Sequence, residues 1–284
     1  MTPTQQLKSR LNNGPVLVCP GAANALAARL IEEAGFEACY VTGAGIANTY
    51  LGAPDIGLLT LNELAGHVAA IRDAVGIPLV VDADTGFGNP VGVQRAVRML
   101  ERAGADAIQI EDQVFPKRCG HFAGKQVVPV AEMEAKVRAA ADARDTTLII
   151  ARTDARSVEG FDAAIERARM FAEAGADVTF VEAPESVGEL LAVPERLPGI
   201  PQVVNLVEGG RTPLLPVAEL GSFRLALFAN AALQAAVLGM QRALATLRDT
   251  GSLAVASQHL AGWAERQRVV RKPQFDEVER RYAG

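Results

Sequence analysis

Short apolar runs alternate with longer amphipathic segments along most of this chain. Each run is almost continuously apolar, which is typical of strands that are buried on both faces of a parallel sheet. Segments between the runs, such as Val91–Ala103 and Phe161–Ala174, carry apolar residues at helical spacing and end near glycine, so they are predicted helices. The predicted strands are Val16–Cys19, Ala38–Val41, Leu79–Val81, Ala107–Ile110, Leu148–Ala151, Val178–Val181, Val203–Leu206 and Leu225–Phe228.

A similar phrase recurs where helices give way to strands, at 33–36, 102–106 and 173–177. In each copy a glycine follows alanine, as expected where glycine supplies the left-handed stop of a helix. Eight successive strand–helix units fit a (β/α)₈ TIM barrel, which needs about 250 residues. An open doubly wound sheet is the rival fold, but the count of eight favours the barrel. We expect one α/β domain over residues 1–284, with a helical extension over residues 231–284.

The segment that follows the last predicted strand, Ala231–Met240, is apolar on nearly all sides. A helix that covers a barrel should keep one polar face, so this segment is expected to be buried on both sides. Either a neighbouring subunit or the C-terminal tail of the same chain could cover it. The tail itself, through Trp263 and Glu277–Tyr282, is predicted to form one or two amphipathic helices.

Composition narrows the function classes without naming a function. Hydrophobic residues make up 49% and charged residues 21% of the 284, an ordinary globular balance, and the net charge is −5. That charge and the absence of a basic run argue against nucleic acid as a partner. The polar N-terminus lacks a secretory signal, and no stretch has the roughly 18 apolar residues of a membrane span. Three cysteines (Cys19, Cys39 and Cys119) without paired spacing predict neither disulfides nor zinc, which suits a cytoplasmic protein.

Polar residues cluster where the predicted strands end, and in a barrel those ends surround the active site. One such residue is often only a helix cap, but five successive strand ends carry them. Several buried carboxylates together need a cation, and oxygen ligands without clustered histidine or cysteine indicate Mg²⁺ or Mn²⁺. The residues concerned are Asp82 and Asp84; Glu111, Asp112 and Gln113; Arg152 and Asp154; Glu182; and Asn205.

Asp82 and Asp84 are two residues apart, so both side chains face the same way along an extended strand. One can bind the metal directly and the other through water, with Glu111 and Asp55 as further acceptors for metal-bound water. Arg152 is expected to form a fork for a substrate carboxylate. Alternatively, Arg152 only pairs with Glu182 and supports the mouth of the barrel.

A basic loop follows the fourth predicted strand, Pro116-Lys-Arg-Cys-Gly-His121-Phe-Ala-Gly-Lys125. Its glycines give it flexibility, and its place in the fold puts it above the barrel mouth. Lys117, Arg118 and His121 flank Cys119, and their positive charge should lower the pKa of the thiol. Cys119 is therefore a candidate acid, base or nucleophile. His67 and His259 have no such context and are interpreted as surface or packing residues.

These motifs resemble the isocitrate lyase and phosphoenolpyruvate mutase superfamily over nearly the whole chain, from Pro20 to about Tyr282. The resemblance rests on Thr42-Gly-Ala-Gly45, Leu51-Gly-Ala-Pro-Asp55, Asp82-Ala-Asp-Thr-Gly-Phe-Gly88, Ile110-Glu-Asp-Gln113, Lys117-Arg-Cys-Gly-His121, Ala151-Arg-Thr-Asp154 and Asn205-Leu-Val-Glu-Gly-Gly210. The loop with Cys119 is similar to that of the carbon–carbon lyases, in which the cysteine is a general acid.

The resemblance also implies roles by position. Asp84 would bind Mg²⁺ directly, while Asp82, Glu111 and Asp55 would hold its waters. Thr42, Gly43, Ala44, Gly45, Gly120 and Asn205 would contact a carboxylic acid substrate, and the catalytic set would be Cys119, Arg152, Glu182 and His121. Relatives further imply a homotetramer in which the eighth barrel helix is swapped between subunits. The base that removes the substrate's hydroxyl proton is not assigned.

Within the superfamily, the segments 120–126 and 205–213 are closer to the 2,3-dimethylmalate lyase-like and petal-death-protein-like branch than to bacterial methylisocitrate lyases. The expected reaction is Mg²⁺-dependent cleavage of a 2-hydroxy di- or tricarboxylic acid. A carboxyphosphonoenolpyruvate phosphonomutase-type enzyme and an inactive barrel that binds organic acids remain alternatives. The chain departs from its relatives after the eighth strand, where Ala231 is expected to replace a serine or threonine hydroxyl.

Overall fold

The computed structural model describes residues 1–118, 120 and 124–283, except for the side chains of Gln258 and His259. Its strands form a closed parallel barrel in chain order, in which β8 pairs with β1 from Leu17 opposite Leu225 to Pro20 opposite Phe228. The prediction of a (β/α)₈ barrel is confirmed, and the open sheet is excluded. The strands are β1 Leu17–Ala22, β2 Cys39–Val41, β3 Leu79–Asp82, β4 Ala107–Glu111, β5 Leu148–Thr153, β6 Val178–Val181, β7 Gln202–Asn205 and β8 Leu225–Phe228.

The predicted bounds are right for β6 and β8 and differ by a few residues elsewhere. Strands β3, β4 and β5 continue past their apolar runs into Asp82, Glu111 and Thr153, because ladder pairing extends to Asp82 opposite Gln109 and Glu111 opposite Arg152. Apolarity therefore marks where each strand is buried but not where its hydrogen bonds stop. The polar residues at the barrel mouth are held by the sheet itself.

Helices connect the strands and form the outer layer. The barrel helices are α1 Pro3–Asn12, α2 Ala25–Glu33, α3 Gly43–Ile46, α4 Leu61–Ala74, α5 Pro90–Arg102, α6 Val130–Ala143, α7 Phe161–Glu173 and α8 Val187–Arg196. The C-terminal helices are α9 Ala231–Thr250, α10 Trp263–Val269 and α11 Lys272–Tyr282. A π-helical turn covers Ala47–Leu51, and 3₁₀ turns cover Ala155–Ser157, Val217–Glu219 and Ala254–His259.

Glycine ends several of the helices as the repeated phrase predicts. Gly35, Gly104 and Gly175 follow α2, α5 and α7 with φ of 87°, 107° and 114°. Other residues adopt this left-handed conformation at a cost, so glycine is the natural stop here. The turn then leads the chain directly into the next strand.

Small aliphatic side chains fill the barrel interior and the layer between sheet and helices. Within the barrel, Val80, Ile150, Phe180 and Leu227 belong to one buried cluster that also contains Leu7 of α1. Helix α1 therefore closes the amino end of the barrel with its apolar face. The carboxyl end is left open for polar chemistry.

The chain divides into two compact units, Met1–Ala231 and Ala232–Gly284. The division falls at the start of the predicted helical extension, whose tail contains α10 and α11 as expected. None of the residues of α9 is buried, and several large apolar side chains on it are exposed, namely Val237, Leu238, Met240, Leu244 and Leu247. That a neighbouring subunit covers or exchanges this helix stays a prediction. Among the described residues, no helix has the length and apolarity needed to cross a membrane.

Candidate active site

A polar cavity lies at the carboxyl ends of the barrel strands. Side chains from β2, β3, β4, β5 and β7 and from the loops above the strands converge on it, although they are far apart in the sequence. It is lined by Tyr40, Thr42, Ala44, Asp55, Asp82, Glu111, Lys117, Arg118, Gly120, Arg152, Glu182, Asn205, Val207, Ala229 and Asn230. Most residues predicted from the strand ends are therefore brought together.

Asp82 and Asp84 lie side by side at the end of β3. A Cβ atom on Gly43 would stand 3.2 Å from Asp82 Oδ2 and 3.5 Å from Asp84 Oδ1, so both carboxylates reach the same backbone. Asp84 has φ of 47° and its amide donates to Asp82 Oδ1 at 3.2 Å. This strained turn, which continues through Gly86 and Phe87 at positive φ, redirects the chain so that the second carboxylate lies beside Lys117 and Gly43, next to the cavity but not among its lining residues.

Burial disfavours the charged forms of these acids. It raises the pKa of Asp84 to about 6 despite the nearby Lys117 ammonium, and it raises the pKa of Glu111 against the pull of Arg152. Glu111 Oε1 is buried without a hydrogen-bond partner among the described residues. The carboxylates thus form a site that would gain from a cation.

Lys117 carries its charge to these carboxylates. Its buried ammonium contacts Asp55 and lies 2.8 Å from Asp84 Oδ1, and the surrounding acids raise its pKa in spite of burial. The sequence placed Lys117 beside Cys119 as a charge that lowers the thiol pKa. The side chain reaches across to the acidic cluster, and its effect on the thiol stays a prediction. Cys119 and His121 themselves lie outside the described residues.

Arg152 is oriented by Asp154. Its Nε donates to Asp154 Oδ2 at 2.9 Å and its Nη2 to Asp154 Oδ1 at 3.0 Å, whereas Glu182 is 3.6 Å from Nη1. The guanidinium also lies over the Phe180 ring, 5.4 Å from its centroid. Arg152 therefore uses its Nε–H and one Nη2–H on Asp154, and the fork to a substrate carboxylate, which would use the other N–H groups, stays a prediction. Only its remaining N–H groups can face a ligand, and Glu182 is a secondary partner rather than the main one.

Asp112, Thr153 and Gln113 support the site from behind. Asp112 is fully buried and accepts from Thr153 Oγ1 at 2.7 Å, from the Asp154 amide at 2.9 Å and from Arg167 Nη1 at 3.2 Å. Since alternate strand residues face opposite ways, Glu111 and Arg152 point into the barrel while Asp112 and Thr153 point out of it. Asp112 was grouped with the cavity acids in the sequence, but its place is in the layer that orients Asp154.

The segment 113–127, called the cysteine loop below, is closed at its base by antiparallel contacts. Gln113 bridges Val127, and the Val114 amide donates to the Gln126 carbonyl at 2.9 Å. At its tip, a Cβ atom on Gly120 would stand 2.4 Å from Arg152 Nη2 and 2.8 Å from Glu182 Cδ. Gly120 thus rests directly on the Arg152–Glu182 pair, which only a residue without a side chain permits.

The Thr42–Gly45 segment lies at the end of β2. The Thr42 hydroxyl accepts from the Gly45 amide at 3.1 Å and so caps the short helix α3. Thr42 and Ala44 line the cavity and Gly43 touches its carboxylates, while Gly45 packs behind them against Ala23. Three of these four predicted substrate contacts therefore face the cavity, and Gly45 supports them.

Asn205 and Asn230 close the cavity at the ends of β7 and β8. The Oδ1 atom of each is buried, with no hydrogen-bond partner in the described part of the chain. The sequence drew attention to Ala231, but Ala231 is exposed and does not line the cavity. At this strand end, Asn230 is the side chain placed to contact a ligand.

Comparison with known proteins identifies the family. Residues 7–248 match the family model described as phosphoenolpyruvate phosphomutase. The 2,3-dimethylmalate lyase of Eubacterium barkeri is 40% identical over 100% of this chain and 99% of its own length. The chain belongs to the phosphoenolpyruvate mutase/isocitrate lyase superfamily.

Other members of this superfamily extend the comparison. The 2-methylisocitrate lyase of Aeropyrum pernix is 43% identical over 87% of this chain and 80% of its own. The chloroplastic carboxyvinyl-carboxyphosphonate phosphorylmutase of Arabidopsis thaliana is 37% identical over 100% and 87%. A crystal structure of 2,3-dimethylmalate lyase superposes with a TM-score of 0.94 at 35% identity, covering 100% and 96%. A phosphonopyruvate hydrolase complex with oxalate and Mg²⁺ superposes with a TM-score of 0.91 at 31% identity, covering 100% of both chains.

Several cavity residues of this superfamily member escaped sequence reasoning. Tyr40 lies within an apolar run and gave no signal, yet its hydroxyl is buried near Gln109 and Asp82, and burial raises its pKa so that it stays protonated. Val207, Ala229 and Asn230 also lie after strands, but they are uncharged, so the pattern of charged residues at strand ends does not include them. His67, by contrast, was interpreted correctly, because it stacks edge-on against Tyr50 with ring centroids 5.1 Å apart.

The donor set suits a hard divalent cation. All the acidic groups offer oxygen, burial leaves several of them short of compensating charge, and magnesium commonly keeps several waters instead of a full protein cage. Among the described residues, no group of three or more His, Cys, Asp or Glu side chains is arranged to hold a metal ion. The residues fit a metal that is bound partly through water.

A second and larger cavity, of about 1060 Å³, lies between the N-terminal ends of α4, α5 and α6. Its walls are largely apolar, with Leu58, Phe87 and Phe115 among them, and it reaches the backs of Asp84 and Thr85. Four of its 20 lining residues are charged, against seven of 15 at the barrel mouth. The smaller polar cavity is therefore the candidate active site.

Proposed function

We propose that this protein is a Mg²⁺-dependent carbon–carbon lyase that cleaves a 2-hydroxy di- or tricarboxylic acid of the 2-alkylmalate or methylisocitrate type. The products would be a 2-oxo acid and a second carboxylic acid. The observation that carries the proposal is the meeting of buried carboxylates, Arg152 and the cysteine loop in one cavity. Relatives named as lyases for 2,3-dimethylmalate and 2-methylisocitrate support the same reaction class.

Asp84 would hold the metal directly, and Asp82, Glu111 and Asp55 would hold its waters. When bound, Mg²⁺ supplies positive charge that stabilises the alkoxide and carboxylate oxygens of the reacting acid. A solved relative carries oxalate and Mg²⁺ together, which supports a small carboxylate and a metal sharing this kind of site. Mn²⁺, with similar oxygen preference, could replace Mg²⁺.

The side chains of this chain would divide the remaining work. The free N–H groups of Arg152 and the amides at Gly43 and Ala44 would bind substrate carboxylates, and Asn205 and Asn230 would accept hydrogen bonds from the substrate. A base, not assigned among these residues, would take the hydroxyl proton, and the oxygen electrons would form the new C=O bond as the C2–C3 bond breaks. Its electron pair passes to C3 as an enolate of the second carboxylate. Cys119 then gives its thiol proton to C3, with Glu182 and His121 as its catalytic neighbours.

A coupled assay for released 2-oxo acid across a panel of 2-alkylmalates and methylisocitrate tests this function. Turnover should require Mg²⁺, stop when the metal is chelated and return when it is restored. The Cys119→Ser variant should lose nearly all turnover while keeping its fold by circular dichroism. Absence of metal-dependent turnover on every member of the panel would refute the proposal.

The phosphonomutase alternative has one observation in its favour, the 37% identical Arabidopsis relative named as a carboxyvinyl-carboxyphosphonate phosphorylmutase. Such an enzyme shares the acidic cavity but does not need a proton-donating cysteine. Retention of most activity by Cys119→Ser with a phosphonate substrate would therefore favour the mutase. The inactive-barrel alternative has no support, because the relatives in this comparison are named as enzymes and the charged cavity is present.

We further propose a homo-oligomer, as the exposed apolar side chains of α9 suggest, with a tetramer as the expected form. A cytoplasmic location is proposed from the three cysteines, whose spacing does not indicate a disulfide framework.

A further inference from the structure

We propose that Gln113 and Lys125 are positioning residues that grip the backbone on either side of Cys119 and so set where its thiol acts. The thiol chemistry in this inference rests on the proposed lyase function. The grip itself is a feature of the described residues and can be tested without turnover. Neither residue was among the sites predicted from the sequence as catalytic or substrate-binding.

Gln113 holds the peptide on the N-terminal side of Cys119. It is buried, and its Oε1 accepts from the Arg118 amide at 2.9 Å while its Nε2 donates to the Arg118 carbonyl at 2.8 Å. A side-chain amide can bond both the backbone N–H and the backbone C=O of one residue, and two such bonds restrain that residue's backbone at two points. Because the carbonyl of Arg118 belongs to the peptide bond with Cys119, this pair of bonds fixes the entry to the cysteine.

Lys125 holds the peptide on the C-terminal side. Its ammonium donates to the Gly120 carbonyl and lies 2.7 Å from Asp154 Oδ1, and its side chain is only 2% exposed. Gly120 is the residue that rests on the Arg152–Glu182 pair. Lys125 therefore ties the backbone just after Cys119 to Asp154, the carboxylate that also orients Arg152.

The two grips stand on fixed parts of the barrel. Gln113 follows β4 and is paired with Val127 at the base of the loop. Asp154 follows β5, and its amide is bound by Asp112, which Arg167 of α7 holds in turn. Because Gln113 and Asp154 follow neighbouring strands, the loop backbone and Arg152 are held in fixed positions relative to each other. A proton donor in this loop would be aligned with the substrate that Arg152 binds.

A positioning role and a purely structural role predict different changes in kcat and KM. A displacement of about 1 Å at a reacting group can reduce turnover about 100-fold, while most of the proposed substrate contacts, Arg152 and the Thr42–Gly45 segment among them, stay in place. In Lys125→Met, Asp154 still holds Arg152 through two hydrogen bonds, so KM should change little while kcat falls. In Asp154→Asn the Arg152 contacts are weakened as well, so KM should also rise.

The experiment compares Gln113→Met and Lys125→Met with two matched controls in the full-length protein. Gln202→Met removes a buried glutamine at the start of β7 that is bonded to Thr179. Arg72→Met removes the ion pair between Arg72, near the end of α4, and Asp106, which directly precedes β4. Hydrogen–deuterium exchange over residues 113–127 is measured without substrate. Steady-state kinetics on a 2-alkylmalate, corrected for the folded fraction, give kcat and KM.

We expect both loop variants to exchange at least about tenfold faster over residues 113–127, and kcat to fall about 10- to 100-fold with KM within about threefold. The controls should lower stability without either change. Unchanged exchange in the loop, or kcat losses no larger than those of the controls, would overturn the inference. If the wild type cleaves no 2-hydroxy acid, the proposed function fails, and the exchange data alone still decide whether Gln113 and Lys125 hold the loop.

Discussion

The Gly120→Ala substitution offers a sharp test of the assembled cavity. The new Cβ atom would lie 2.4 Å from Arg152 Nη2 and 2.8 Å from Glu182 Cδ, whereas ordinary van der Waals contact begins near 3.4 Å. Gly120 and Arg152 would therefore have to separate by about 1 Å. Arg152 cannot easily retreat, because Asp154 holds it by two hydrogen bonds and Phe180 lies beneath it.

The cysteine loop would take up the displacement. Moving catalytic groups apart by about 1 Å costs about 100-fold in rate, or about 2.7 kcal/mol in transition-state stabilisation. We expect kcat/KM of Gly120→Ala to fall by about that factor in the coupled assay for 2-oxo acid, with the fold retained by circular dichroism. The effect should come from displacement, since alanine adds a single methyl group and no charge.

Gly66→Ala is the matched control. Gly66 lies in α4, is exposed, and a Cβ atom there would meet nothing within 4 Å. Alanine in an exposed helix should stabilise the protein by about 1 kcal/mol and leave kcat/KM unchanged. If Gly120→Ala keeps full activity, Gly120 does not rest on Arg152 during the reaction and the described geometry of the site is refuted.

Three further measurements address charge and assembly. Because burial raises the pKa of Asp84 to about 6, protons should compete with metal, so Mn²⁺ affinity measured by calorimetry should fall by up to tenfold per unit below pH 6; a flat profile would remove Asp84 as the direct ligand. Burial would raise the pKa of Asp154, but Arg152 and Lys125 lower it to about 2, below the unfolded value of 3.8. The ionised Asp154 therefore stabilises the folded protein by about 2 kcal/mol above pH 4, and this stabilisation is lost as the pH falls towards 2. Urea unfolding at several pH values should show this loss in the wild type but not in Asp154→Asn. Sedimentation should show an oligomer that Leu238→Glu in α9 weakens, and a monomeric wild type would end that prediction.

The barrel and the general place of its chemistry could be predicted because both follow from local rules. Apolar runs of strand length locate the sheet, and polar residues that follow such runs must gather at one end of a closed barrel. For that reason Asp82, Glu111, Arg152 and Glu182 were correctly expected to converge, as the cavity lining confirms. Neither conclusion depends on which partners the long side chains contact.

The ion-pair partner of each charged side chain could not be predicted, since it depends on distances between neighbouring strands and loops. Arg152 was expected to bind a substrate carboxylate, with an ion pair to Glu182 as the alternative, but its closest partner is Asp154. A signal did exist, because residues two apart at a strand end tend to face the same way; it was applied to Asp82 and Asp84 but not to Arg152 and Asp154. For Lys117 no comparable rule applies, because a flexible lysine in a loop can reach several acids. Its contact with Asp55 joins positions 62 residues apart.

The charge balance of the cavity gives the metal proposal its strongest physical support. Acidic side chains outnumber basic ones there: four carboxylates (Asp55, Asp82, Glu111 and Glu182) and three cations (Lys117, Arg118 and Arg152) line it, and Asp84 adds a fifth carboxylate beside Lys117. A dicarboxylate substrate would bring two more negative charges into this low-dielectric space, where unpaired charge is costly. The protein therefore cannot bind such a substrate tightly with its own side chains alone. A divalent cation would offset that excess, so chelating the metal should weaken substrate binding itself and not only slow the chemical step.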